Sequence, residues 1–126
     1  MDYGISKTIP KSDKRQKLWK RQREKRGFDN TELWNLNATI AKFLAPRLKE
    51  FKKCSAYSIP NNFDDRLPIK ERRKLWEEVL QEMIDGFEII ADEKKHYDFQ
   101  IYNKEYRNKE ERAIKLLFEY YFSLWY

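Results

Sequence analysis

Three stretches of this chain carry large apolar side chains at helical spacing. In the first, Leu33, Leu36, Ile40, Leu44, Leu48 and Phe51 predict a helix with one buried face, running to about Lys53. Asp29 and Glu32 stand before it in the reciprocal capping-box arrangement, with Phe28 and Leu33 placed as a hydrophobic staple. Trp34 is expected to be buried with that face. Pro46 inside the pattern lacks an N–H, so it frees the carbonyl of Lys42 and should bend the helix there.

A second helix should open after Pro68, whose fixed φ suits a first turn. Its buried face reads Trp76, Val79, Leu80, Met83, Ile84, Phe87 and Ile90, and it should end near Asp92. The third is expected from near Asn108, where Asn108 and Glu111 repeat the cap logic. Ile114, Leu117, Phe118, Tyr121, Leu124 and Trp125 line one side of it. Residues 54–67 hold Pro60, an Asn pair and an Asp pair, and read as a loop. Within 93–106, Tyr97, Phe99 and Ile101 alternate like a short strand without a partner, so a loop with an extra helical turn is expected.

Upstream, Ser12 or Asp13 caps a helix that should run from about residue 13 to Arg26 and stop at Gly27. Leu18 and Trp19 are its only large apolar residues, too few for a core-facing stripe. The expected fold is all-α: a compact three-helix bundle over 28–126 with an additional N-terminal basic helix in an arm over 1–27. A content of 3 glycines and 4 prolines among 126 residues agrees with helices rather than many tight turns.

Charge separates these two parts. The net charge of +6 is distributed as +7 on residues 1–26 and −1 on the remainder. A near-neutral body with a basic extension is suited to an acidic partner: nucleic acid, an acidic protein face or anionic lipid. Lys14, Lys17, Arg21 and Lys25 recur at helical spacing, with Arg15, Arg23 and Arg26 beside them and Trp19 as a stacking platform. The plain alternative is a solubilising tail whose Leu18 and Trp19 pack on the body. In the aromatic ending, Tyr120, Phe122 and Tyr126 fall off the expected core face. They are read either as a protein interface or as packing under the arm.

Reaction chemistry is missing from the pattern. The single histidine, His96, and the single cysteine, Cys54, lie far apart in sequence, so no nucleophile–base pair is indicated. Asp92, Glu93 and His96 make a weak metal pattern that a solvated helix end explains better. Glu78, Glu82 and Asp85 share one helical side, most simply the water-facing one. Asp64 and Asp65 precede a helix, where acids favour the positive end of its dipole. No glycine-rich phosphate loop occurs. The expectation is a protein without catalytic residues, cofactor or metal. A lone cysteine forms no internal disulfide, which fits a reducing compartment. No apolar run approaches the ~20 residues of a membrane span, and the opening residues lack a signal-peptide pattern.

The stretch RGFDNTELWNLNATIAKFLAPRLKEF resembles a family of small tailed-bacteriophage proteins. Arg26, Gly27, Phe28, Trp34, Leu36, Asn37, Ile40, Ala41, Phe43, Leu44, Pro46, Arg47 and Leu48 follow its pattern, as do Phe118, Tyr121, Phe122, Leu124 and Trp125. The chain departs from it by lacking a serine or threonine between Phe28 and the cap. A glycine-proline turn is also absent at Ala56–Pro60. The resemblance rests on apolar and capping positions and carries over no catalytic residue. It implies a phage source and action in the cytoplasm of the infected bacterium.

Together these features lead to the expectation of a non-enzymatic phage protein. It would bind a host or defence protein or ribonucleoprotein complex that handles nucleic acid, such as a CRISPR effector, with the arm on a phosphate or acidic site. Direct DNA or RNA binding in phage replication or packaging, and a structural virion role, are the alternatives.

Overall fold

The computed structural model describes residues 10–54, 59–92 and 104–125, and among these the regular structure is five α-helices and a 3-10 turn. In chain order they are α1 (Gln16–Arg26), α2 (Thr31–Trp34), α3 (Leu36–Cys54), α4 (Ile69–Ala91), α5 (Lys104–Tyr120) and the 3-10 turn Tyr121–Ser123. The protein is an all-α helical bundle of α3, α4 and α5 with the basic α1 added at its N-terminal side, and no strand occurs among the described residues.

The central element is α4, which packs against both α3 and α5. Its sequence pattern predicts its burial well: Trp76, Leu80 and Met83 are fully buried, with Ile84, Phe87 and Ile90 nearly so. Ile89 also lies inside, because a helix flanked on two sides buries a wider stripe than one flanked on a single side. The helix ends at Ala91 with Asp92 as its cap, close to where the pattern implies.

The outer helices are rotated from the expected register. On α3 the buried residues are Ala38, Ala41, Ala45 and Leu48, whereas Leu36 and Ile40 remain about half exposed and Leu44 and Phe51 only border the core. Alanines let the α3 backbone come close to α4, so that small-residue side becomes the contact. On α5 the buried side chains are Glu110, Ala113, Leu116 and Tyr120, while Ile114, Phe118, Tyr121 and Trp125 face outward. A close approach sets this register as well. A Cβ placed on Gly86 would lie 2.3 Å from the Lys109 carbonyl oxygen and 2.4 Å from Ala113 Cβ, so α5 rests directly on the α4 backbone.

Helix boundaries also differ from expectation. The residue Asn35 leaves helical geometry at φ −132° and ψ 75°, dividing the expected first helix into α2 and α3. Thr39 spans that break: its hydroxyl donates to the Glu32 carbonyl at 2.6 Å and its N–H to the Asn35 carbonyl at 3.0 Å. The last helix has already begun at Lys104, placing Asn108 inside it rather than at a cap. Helix α3 continues through Pro46 to Cys54. Tyr97, Phe99 and Ile101 lie outside the described residues.

Candidate functional site

Gly27 adopts the left-handed conformation, at φ 86°, and its N–H donates to the Arg23 carbonyl at 2.9 Å. Glycine reaches this region without steric penalty, so the chain can stop α1 and turn back along it. The reversal brings residues 28–34 alongside α1. Asp29, 1% exposed, accepts a charge-assisted hydrogen bond from Arg23 Nη1 at 2.6 Å. Gln22 Oε1 accepts from the Asn30 N–H at 2.9 Å, and Arg26 Nη2 donates to Asn30 Oδ1 at 2.6 Å.

The capping box forms in altered shape. Glu32 Oε2 accepts from the Asp29 N–H at 2.7 Å, the reciprocal half of the motif. Asp29 Oδ1 accepts from the Thr31 N–H at 2.9 Å and from the Thr31 hydroxyl. The staple residues Phe28 and Leu33 are 38% and 50% exposed, and the Arg26 guanidinium covers the Phe28 ring, 4.3 Å from its centroid.

Trp19 anchors the other end of α1. It is 3% exposed and meets Trp34 edge-to-face at 5.8 Å. The Arg15 guanidinium lies over both rings, 4.8 Å from Trp19 and 5.6 Å from Trp34. Arg15 also forms a two-pronged pair with Asp13, which holds the Asp13 carboxyl below its ordinary value. Asp13 acts ahead of α1, accepting from the Arg15 N–H at 2.9 Å, while the helix itself starts at Gln16.

The arm cations therefore sort into two sets. Trp19 is an internal anchor rather than a platform for a base, and Arg23 is held by Asp29. Arg15 and Arg26 brace the α1–α2 corner while remaining exposed at the surface. Lys17, Arg21 and Lys25 stand on the opposite side of α1 and Lys14 lies in the turn before it, all exposed and without an ion-pair partner among the described residues. Lys20, not singled out from the sequence, is exposed beside them. With a rise of about 1.5 Å per residue, the ridge from Lys17 to Lys25 is on the order of 12 Å long.

At the other end, Tyr120 is corrected from interface to core: it is 7% exposed, stacked 6.0 Å from Phe63 and tilted against Trp76 at 5.4 Å. Burial raises its phenol pKa above the ordinary value, and the Glu119 charge adds to the effect. Phe122 is 90% exposed, and Tyr126 lies outside the described residues. Phe118, assigned to the core by periodicity, is 88% exposed.

Glu82 faces Arg112 at 3.6 Å and Asp85 accepts from Gln81 at 2.8 Å, as expected of a solvated charged side. No group of three histidine, cysteine or carboxylate side chains is arranged for a metal ion among the described residues, where His96 is not included. Among them, no helix is long and apolar enough to cross a membrane. Comparison with protein-family models, curated proteins and solved structures finds no match for the chain.

Proposed function

We propose that this chain is a non-enzymatic, phage-encoded binding protein of the host cytoplasm. Its α1 ridge docks on the phosphates or acidic face of a host or defence complex that handles nucleic acid. One observation carries the proposal: Lys17, Arg21 and Lys25 project from a helix whose opposite side is locked down by Trp19 and Arg23, with Lys14 exposed in the turn just before it. A ridge ordered before binding loses less conformational freedom on docking than a free tail would. With Trp19 buried, recognition by the ridge rests on charge alone, without base stacking. Such binding tracks backbone phosphate and carries little sequence preference.

The test is capture from infected-cell lysate with and without nuclease, using the wild type and a variant with all four ridge residues changed to glutamate. The expected outcome is a specific host or defence component held by the wild type and lost by the variant. If the charge-reversed protein binds as well, the arm is only a solubilising tail. Titration with purified duplex DNA and RNA separates direct nucleic-acid binding in replication or packaging from capture of a complex. Four phosphate contacts on DNA would give a log–log salt slope of about −3.6. Absence of binding at low salt removes the direct mode.

A further inference from the structure

Helices α3 and α5 lie on α4 and, among the described residues, leave an open apolar face between them. Asn37 and Ile40 on α3 border Arg107, Glu110 and Ile114 on α5, around a groove of about 460 Å³ floored by Phe87 and Ile90. Further along α3, Leu44, Leu48 and Phe51 border Leu124 around a second groove of about 550 Å³. The α3 and α5 axes therefore run the same way, with the grooves succeeding each other between them.

Beside this hollow rises a ridge. Ile114, Phe118, Tyr121, Phe122 and Trp125 are 54%, 88%, 61%, 90% and 67% exposed, and Tyr121 and Phe122 pack edge-to-face at 5.5 Å. Aromatic side chains bury roughly 150–250 Å² each, so the four aromatics alone present on the order of 600 Å². That reaches the upper end of the largest apolar patch of an ordinary monomer, about 300–600 Å². Adding Ile114, Leu36 and Ile40, each about half exposed, brings the face toward the ~800 Å² per partner of a stable complex.

We propose that this face is a homodimer interface, closed by a second copy of the chain whose α5 lies antiparallel to the first. A ridge and a groove on the same face, side by side, are self-complementary about a two-fold axis. Each copy's Phe122 enters the groove between Ile40 and Ile114 of the other. Charge fixes the direction. Lys115 and Glu119 are exposed one turn apart on the flank of the ridge, and neither has an ion-pair partner among the described residues. In an antiparallel pair centred at Leu117, Lys115 of each copy faces Glu119 of the other. A parallel pair would put the two copies of this flank on opposite sides of the seam and lose both pairings.

Sedimentation velocity of the full chain across micromolar to sub-millimolar concentrations tests this. The wild type should dimerise, and Phe118→Glu with Phe122→Glu should weaken the dimer by at least about a hundredfold while the helical spectrum is unchanged. Should that variant misfold, Lys115→Glu and Glu119→Lys provide the second route. Each alone weakens the dimer, and together they restore it. A wild type monomeric throughout overturns the proposal. So does a dimer indifferent to both sets of substitutions, or assembly that continues past two copies.

Discussion

Arg23 and Asp29 form a 2.6 Å ion pair in which the carboxylate is 1% exposed and the guanidinium 20%. The pair joins the basic helix to the turn that follows it, and its two members differ in what happens when the other is lost. Arg23→Ala removes the cation that faces a buried carboxylate and should destabilise the protein by about 3–5 kcal/mol. Asp29→Asn keeps an oxygen for Thr31 and removes the more deeply buried charge, leaving a guanidinium that still reaches solvent, so its effect should be smaller. Denaturant unfolding of the two variants gives the comparison.

The tryptophans should rank by burial. Trp76 is wholly inside, and Trp76→Ala is expected to remove about 3–5 kcal/mol. Trp34 is 49% exposed, so Trp34→Ala should remove about half as much, chiefly by loosening Trp19 and α1. Equal losses in thermal melts would contradict this placement of Trp34.

Gly86→Ala sets helix propensity against packing. Alanine is the better helix former by about 1 kcal/mol, yet its methyl would meet Lys109 and Ala113 at distances no side chain tolerates. The net expectation is a destabilisation of about 1–3 kcal/mol, read as a lowered melting temperature. A stabilised variant would mean that α4 and α5 are further apart.

Tyr120 predicts an alkaline effect. Its folded pKa is raised above 10.0 by burial, so the protonated phenol is favoured in the folded state. That contribution is complete below the unfolded value and is lost as pH rises through the folded one. Tyr120→Phe, which has no proton to lose, should therefore hold its stability above pH 10 better than the wild type. Melts of both proteins at neutral and alkaline pH give the difference, with near-equal stability expected at neutrality.

Much of the candidate site was legible in the chain. The ridge positions Lys17, Arg21 and Lys25 follow from helical spacing, whereas Lys14 falls in the turn before the helix, and Gly27 marks the stop. Docking of α1 was not legible, because it depends on Arg23 reaching Asp29 and on Gln22 meeting the Asn30 N–H after the reversal. Those pairs exist only once the turn at Gly27 brings the two segments together. Trp19 illustrates the same limit: an aromatic in a basic helix has one appearance in sequence whether it meets a base or another tryptophan.

Periodicity and capping residues by themselves determined that the chain is helical, where α4 lies and which of its residues are buried. They succeed for α4 because it has a neighbour on either side, so nearly every large apolar residue on its broad stripe finds cover. For α3 and α5, the tertiary structure decided which side turned inward. Each has more apolar surface than one neighbour can cover, and close approach at Ala41, Ala45, Gly86 and Ala113 selects the small-residue side. Hydropathy gives the greatest weight to the largest side chains, whereas helix packing favours the side that permits the shortest distance between backbones. That is why Phe118 and Ile40 stand at the surface and alanines fill the core.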